Sequence, residues 1–574
     1  MKFDASIVSL IVLAPAATAL QQAQPLVSNH PALSSPLFRR SSSLPSSITT
    51  TLSNKNKRKT SLSAATCPFP AFSDKRNSNN NNQRSGRFSW FGRRNKNGGQ
   101  GSSSSLSIAT YPSPTMTTTT TLVPEVSIVE KKSSKKKRKS LDVRIHGAWY
   151  DLSAFRKSHP AGTHWLDYYE GRDATEVMDG FHSDKARNMF QRMPKSKPER
   201  IRELELLSPD DSDVQIAFRK LRDDLEEEGW WDRDVFYESR LIGIWCALVL
   251  GAAAAARFPQ TIFGGIFGSA AAAVGWGRKI SIFMLSLAMT NAGWLGHDYV
   301  HGVDKFCDKF RNFVAYGAGL APIWWSDKHN KHHALTNEKG VDEDIATDPF
   351  LYQWAPSPEN DSPVRKIQHW IFPIPFSMLF ALWRVDTLRV AWDALKQKRP
   401  NAKNELKCLG IHYAFLLTLY PTGVWLPAVF LSGLMSALIV TPTHQSEEMF
   451  DEFQFDWVTA QFTSTRSAVM SNPFSEWLWG GMQYQLEHHL FPSMPRMNYP
   501  KLKERLTKFA NDNKIPGGYR DTGEFEILYM NWLLYKKVAK ADPVPGAIST
   551  KGRTDQQASI ITSNSPAVAY GVSK

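Results

Sequence analysis

The chain has 574 residues, with 69 Lys and Arg against 54 Asp and Glu and a formal net charge of +15. Residues 1–140 hold 21 basic residues against the four acids Asp4, Asp74, Glu125 and Glu130, a net +17 that leaves about −2 on the other 434 residues. The body therefore gives no electrostatic ground for a nucleic-acid partner, and none is expected. Cys67, Cys246, Cys307 and Cys408 are too scattered for a disulfide framework or a zinc spacing.

Residues 1–20 carry a lysine, an apolar stretch from Ile7 and a small-residue "ATA", the pattern of a secretory-type signal. Ser-, Thr-, Asn- and Lys/Arg-rich chain follows to about residue 124, too polar to bury a core. Residues 1–140 are thus expected as a disordered, signal- and transit-like leader. It resembles the two-part plastid leaders of algae with complex plastids. The basic run "KKSSKKKRKS" (131–140) is read as a solvated linker. A small folded domain is expected over 141–200 and a charged helical linker over 201–238.

Apolar blocks follow at 241–256, 262–276, 280–296 and 409–440, the last broken at "YPTG", where Pro421 and Gly423 predict a turn between two crossings. The early blocks are short for a helical crossing of about 20 residues. Residues 370–392 mix apolar residues with Trp and Arg and suit the membrane interface. Trp294, Trp324, Trp325 and Trp479 are expected as anchors at that boundary more than as lining of a tunnel. A polar tail is expected over 536–574.

Histidine carries the chemistry. "GHDYVHG" places His297 and His301 at i, i+4. "KHNKHHAL" places His329, His332 and His333 at i, i+3, i+4, and "QYQLEHHL" repeats that spacing with Gln485, His488 and His489. On helices these spacings put the rings on one face, suited to a shared metal centre. One such pair is commonly incidental, but three sets beside membrane spans are hard to explain by packing. Seven imidazoles exceed the need of one four-coordinate zinc, so two metals are expected. The three sets meet on one membrane face if an even number of crossings separates them. One early block then does not cross, which gives four spans. His444 in "VTPTHQSEE" ends the last apolar run on the same face and would complete eight ligands. Asp298, Asn337, Asp342 and Asp344 are candidates to orient ligand rings; His369 and His412 are read as structural.

The three boxes, with "GWLGHDYVH", "WWSDKHNKHH" and "GGMQYQLEHHLFPSMPR", resemble the membrane fatty acid desaturases over about residues 230–530. More narrowly they resemble the front-end desaturases, whose third box begins with Gln. The resemblance implies two non-haem iron ions, molecular oxygen as co-substrate and removal of two hydrogens from an unactivated acyl chain, with all boxes on the cytosolic or stromal face. It assigns catalytic or ligand roles to His297, His301, His329, His332, His333, Gln485, His488 and His489, with His444 added as a ligand.

The segment "IHGAWYDLSAFRKSHPAGTHWLDYYEGRDATEVMDGFHS" (145–183) resembles cytochrome b5. That implies haem b held between His159 and His182 as axial ligands. It departs from free cytochrome b5 at Ala161, where a glycine is usual, and in the early position of His182; the latter is the form fused to front-end desaturases.

The expected fold is a multi-pass all-α membrane protein with four transmembrane helices and a cytosolic helical cap over 239–535, plus a small α+β haem domain. The expected activity is an oxygen-dependent acyl desaturase of unsaturated fatty acid synthesis. Expected partners are an acyl-lipid or acyl-CoA substrate, membrane lipids, and an NADH-cytochrome b5 reductase or a plastid electron donor. The endoplasmic reticulum and the plastid membrane are both open. A sphingoid-base desaturase or lipid hydroxylase is the rival enzyme, and a haem carrier without catalysis the rival of another class.

Overall fold

The computed structural model describes residues 140–549 apart from Leu207, so the leader up to residue 139 and the tail beyond 549 lie outside the described residues. The first lobe opens with strands β1 (Asp142–Ile145) and β2 (Ala148–Asp151), paired antiparallel. Their two-residue turn, His146–Gly147, has positive φ at both positions, the twist a tight hairpin demands. Helices α1 (Thr163–Tyr168), α2 (Thr175–Phe181) and α3 (Asp184–Phe190) pack on this hairpin around Val143, Tyr150, Leu152, Tyr169, Met178 and Phe190.

Helix α4 (Pro198–Glu205) leads to α5 (Asp213–Glu227), which starts with a reciprocal capping box between Ser212 and Gln215. The segment expected as a linker packs firmly. Phe218 and Leu225 of α5 are buried with Trp457, Phe491, Tyr499 and Phe509, residues more than 230 positions away in sequence.

The first apolar block becomes α6 (Val235–Arg257), capped by Asp234. The second block is divided by Gly268, at φ 69°, between α7 (Pro259–Phe267) and the start of α8 (Ala270–His301). Nine residues of α7 rise only about 14 Å, too little to cross a bilayer. Arg278 and Lys279 break the apolar composition of α8 but not its helix.

Short helices α9 (Lys305–Phe310) and α10 (Phe313–Ala318) precede α11 (Pro322–Ala334). Helices α12 (Gln368–Ile371) and α13 (Pro373–Lys396) follow, and the 363–371 segment meets α13 at a bend of 93°. The long apolar run forms α14 (Ala402–Leu419) and α15 (Thr422–Val440), turning at Tyr420 and Pro421 as "YPTG" predicts, and α16 (Pro442–Gln445) ends it.

Among the described residues, two helices are long and apolar enough to cross a membrane, α6 and the 422–445 run, with mean hydropathy 1.7 and 2.0; the bent segment would make three. The expected count of four is not met on length and apolarity. Arg278 and Lys279 dilute α8, and Lys403, Glu405 and Lys407 dilute α14.

The cap comprises α17 (Trp457–Ser464), β3 (Ser467–Val469), α18 (Pro473–Trp479), α19 (Gln485–Leu490), α20 (Tyr499–Asp512), β4 (Asp521–Gly523) and α21 (Glu524–Lys540), with β3 and β4 parallel. The tail expected from residue 536 begins later. Helix α21 runs to Lys540, and Trp354 still donates its indole N–H to the carbonyl of Ile548 at 2.9 Å.

Candidate metal centre and haem site

The three histidine sets arise on three separate helix ends. His297 and His301 close α8, whose last seventeen residues are all buried. His329, His332 and His333 lie in the last two turns of α11, which starts at Pro322. His488 and His489 lie on α19, reached through Gly480 and Gly481, both at positive φ where a side chain would be strained. His444 comes from α16.

These eight residues meet as two groups. The ligand atoms of His297, His301, His329, His333 and His488 lie within 4.8 Å of one another, as do those of His332, His444 and His489. The groups touch through the stacked rings of His333 and His489, 4.1 Å apart. Gln485 is buried and lines the adjoining cavity, as His332 and His444 do.

Most of these rings are oriented through Nδ1. His332 Nδ1 donates to Asp342 at 2.8 Å, His329 Nδ1 to Asp344 at 3.1 Å and His297 Nδ1 to Asp298 at 3.3 Å. His488 Nδ1 meets the Tyr499 hydroxyl at 3.1 Å, His489 Nδ1 the Gln461 side-chain oxygen at 3.0 Å, and His444 Nδ1 the carbonyl of Ser464 at 3.3 Å. With the proton on Nδ1, each Nε2 presents a lone pair inward, the tautomer a metal needs. The inward atoms crowd accordingly. Nε2 of His329 lies 2.8 Å from Nε2 of His297 and 3.2 Å from that of His333, which is 2.9 Å from that of His488. Two nitrogens at right angles on one ion, each about 2.1 Å from it, stand about 3 Å apart. Both ring nitrogens of His301 and Nε2 of His489 are buried without a hydrogen-bond partner. Unpaired buried polar atoms are costly, and a cation among them removes the cost. The residues fit metal ions.

Burial first, and neighbouring imidazoles second, hold His333, His488 and His489 well below the usual histidine range, so they are neutral ligands at pH 7. His332 differs. Burial pushes it down, but the Asp342 carboxylate and its hydrogen bond outweigh burial and leave it raised, which marks it as the most basic ring of the set.

Of the four candidate orienting residues, Asp298, Asp342 and Asp344 contact ligand rings. Asn337 does not; its side-chain amide donates to the carbonyls of His444 and Glu448, and its positive φ of 59° turns the chain so that Asp342 lies under His332. Asp298 is also held by Arg496, which binds the carbonyls of Trp294 and Gly480. Tyr499, Gln461 and Arg496 were not foreseen: each lies on a different helix or turn from the ring or carboxylate it holds, 11, 28 and 198 residues away. His369 packs between Trp370 and Trp532, and His412 donates from Nδ1 to the carbonyl of Tyr316 at 2.7 Å, both away from the centre.

A cavity of about 340 Å³ opens onto the centre, lined by His297, His329, His332 and His444 and walled by Trp383, Phe376, Leu379, Leu382 and Val440. Trp294, Trp324 and Trp325, expected as boundary anchors, are buried and line this cavity, and Trp479 is buried in the core. Three of the four correct the expected boundary placement by wall position and the fourth by packing.

In the first lobe, His159 and His182 face each other with ring centres 6.2 Å apart. Two metal–nitrogen bonds of about 2 Å, with about 1.1 Å from each nitrogen to its ring centre, span that gap. Nδ1 of His159 donates to the carbonyl of Gly162 at 3.0 Å and that of His182 to the carbonyl of Met178 at 3.2 Å, which frees both Nε2 atoms. Burial, and then the neighbouring His159, push His182 down to about 4, and burial lowers His159. The pair fits a haem iron. The Ala161 departure is accommodated because the positive φ (106°) falls on Gly162.

Fold and site together define a helical, membrane-associated protein in which a histidine-lined centre able to hold metal opens to an apolar cavity, joined to a small haem-type domain. Residues 272–518 match the family model "Fatty acid desaturase", and residues 127–197 match "Cytochrome b5-like Heme/Steroid binding domain". Residues 272–518 are thus similar to the fatty acid desaturases, and residues 127–197 to the cytochrome b5-like domains. It is 28% identical over 395 residues to the acyl-lipid (9-3)-desaturase of Physcomitrium patens, covering 64% of this chain and 70% of that protein. It is 27% identical to the Delta(6)-fatty-acid desaturase fat-3 of Caenorhabditis elegans, covering 72% and 98%. It is also 27% identical to the Delta(8)-fatty-acid desaturase of Euglena gracilis, covering 72% and 100%.

Proposed function

We propose that the chain is a front-end acyl desaturase that inserts a double bond on the carboxyl side of an acyl chain. The observation that carries this reading is the pair of histidine groups at the wall of an apolar cavity, with most rings locked through Nδ1. Two iron ions would be held, one by His297, His301, His329, His333 and His488, the other by His332, His444 and His489. When bound, they supply the activation of molecular oxygen needed to take hydrogen from an unactivated methylene. The chain's own residues do the rest. Asp342, Asp344, Asp298 and Tyr499 fix ring directions; Trp324, Trp325 and Trp383 exclude water and confine the acyl chain. Gln485 faces the same cavity and would set how the chain passes the second group. Lys328, which pairs with Asp344, and Glu343 also line the cavity and give it a polar patch beside His329.

Haem b between His159 and His182 would deliver electrons singly, reduced in turn by an NADH-cytochrome b5 reductase or a plastid donor. Four spans, α6, α8, α14 and α15, would put every box on the cytosolic or stromal face, with α7 and the bent α12–α13 segment in the interface. The haem domain would occupy 141–200 and the desaturase domain 239–535. The membrane would be that of the endoplasmic reticulum or the plastid.

The test is expression in a host with a cytochrome b5 reductase, a supply of candidate acyl chains, and location of new double bonds by mass spectrometry. A new bond near the carboxyl end, absent in His332→Ala and His488→Ala, is expected. A hydroxylated lipid or a desaturated sphingoid base would move the reading to the rival enzymes, and a chain that holds no iron would end it.

A further inference from the structure

We propose that the haem-type domain works from one fixed, docked pose on the metal centre, and that Phe181 is the positioning residue of that pose. This rests on the reading above. Phe181 directly precedes the haem-ligand candidate His182 at the end of α2. Its ring centre lies 6.0 Å from that of His301 and 5.9 Å from that of His333, both in the five-histidine group. A single residue step therefore separates a haem-facing imidazole from a side chain that packs on two metal-facing ones.

The contacts around Phe181 are those of a packed interface. Tyr168 donates its hydroxyl to Glu338 at 2.5 Å with both residues buried, and Tyr169 reaches the carbonyl of Ala334, one residue after His333. The Arg172 guanidinium stacks 4.1 Å over Phe453. A diffusing electron carrier docks through exposed, opposite charges and leaves again. Buried tyrosines and aromatic rings instead resemble the core of a lasting interface. Tyr168 is also tied to the metal centre. The backbone carbonyl of Glu338 accepts the N–H of Asp342 at 2.9 Å, and Asp342 holds His332. The same short loop that orients a metal-facing ring thus anchors the haem domain.

The step served by this pose is a single electron transfer. His159 and His182 would hold a haem able to give up one electron, ferrous to ferric, and the histidine groups would hold an iron able to take it up, ferric to ferrous. No bond forms or breaks, and the outside reductase restores ferrous haem. Phe181 is not among the residues that line the cavity; it sets the approach of His182 to His301 and His333.

The experiment uses the full chain in lipid nanodiscs, loaded with haem and iron, with the haem pre-reduced. It is mixed rapidly with oxygenated buffer and acyl substrate, and reoxidation is followed by haem absorbance above the rate of iron-stripped protein. The expected wild-type rate is first order and independent of protein concentration. Phe181→Leu, with haem and iron content unchanged, should slow it about tenfold or more, the scale of effect that a misplacement near 1 Å produces. Phe181→Tyr should restore the rate, and Tyr168→Phe should slow it while leaving the haem spectrum intact. A wild-type rate in both Phe181→Leu and Tyr168→Phe, or a rate that rises with protein concentration, would overturn the fixed pose. Absence of any iron-dependent haem reoxidation in the wild type would overturn the functional reading and the pose with it.

Discussion

Asp342 tests how far the metal centre depends on a group that touches no metal. Its carboxylate is buried and takes three hydrogen bonds. One oxygen accepts from His332 Nδ1 at 2.8 Å and from the backbone N–H of Asn337 at 2.9 Å; the other accepts the N–H of Asp344 at 2.8 Å. In Asp342→Asn, the amide oxygen would keep the His332 side and the NH2 would face the Asp344 N–H, which loses its acceptor. On the His332 side a charge-assisted bond is exchanged for a neutral one, about 1.5 kcal/mol, or near tenfold in metal affinity, while the stranded Asp344 N–H lowers stability by about 1–3 kcal/mol. Asp342→Ala strips all three donors, and each stranded buried donor costs about 1–3 kcal/mol. The expected result is a metal affinity lower by about a hundredfold, the upper end for loss of a group that holds a ligand ring, together with a lower melting temperature. Glu343→Gln lies on the same loop but pairs with Lys331, and should change neither. Iron retained per protein against a graded chelator, read beside thermal unfolding, measures both quantities. Folded Asn and Ala variants that hold iron as the wild type does would refute the argument that Asp342 sets the direction and basicity of His332.

His444→Ala should lower bound iron by about half, since one three-histidine group loses a ligand while the five-histidine group is untouched; His412→Ala should leave iron content unchanged and lower only thermal stability. For the haem pair, the folded His182 titrates near 4 and the unfolded ring near 6.5. In haem-free protein the unfolded chain therefore binds a proton first as pH falls, and stability drops from about pH 6.5 toward 4, by on the order of 3 kcal/mol. With haem bound, both rings are already neutral, so the bis-imidazole absorption spectrum should persist from pH 8 to about pH 5; a loss centred near 6.5 would contradict the burial argument. Leu379→Trp fills part of the cavity wall and should reduce turnover of longer acyl chains relative to shorter ones by at least about tenfold, read from product profiles in a mixed feed.

Local chemistry was legible in the sequence wherever one helix carried it. The i, i+3, i+4 spacing of His329, His332 and His333 needs only the helical period to put the rings together, and "YPTG" needs only Pro421 to end one helix and start the next. The partners of those rings were legible when they sat on the adjoining loop, as Asp342 and Asp344 do, ten and fifteen residues on. They were hidden when the fold alone supplied them: Tyr499 reaches His488 from a neighbouring helix, Gln461 reaches His489 from another, and Arg496 joins Asp298 across nearly two hundred residues. The misplaced tryptophans have the same origin. Trp294, Trp324 and Trp325 carry the composition of a membrane boundary, but α8 and α11 both end in metal-facing histidines, so side chains about one turn before the first histidine of each set, His297 and His329, are drawn inward with them. The apolar cavity beside the centre is the consequence, because the helices that converge to bring histidines together also bring the bulky residues that precede them. Charge was misleading in the opposite sense. Arg278 and Lys279 look like the end of a span, yet α8 passes through them unbroken, with the Arg278 guanidinium donating to the carbonyl of Gly423 at the head of α15. A helix may carry cations where a neighbouring helix turn offers a free carbonyl to receive them, so composition alone undercounts the helices that pack as one bundle.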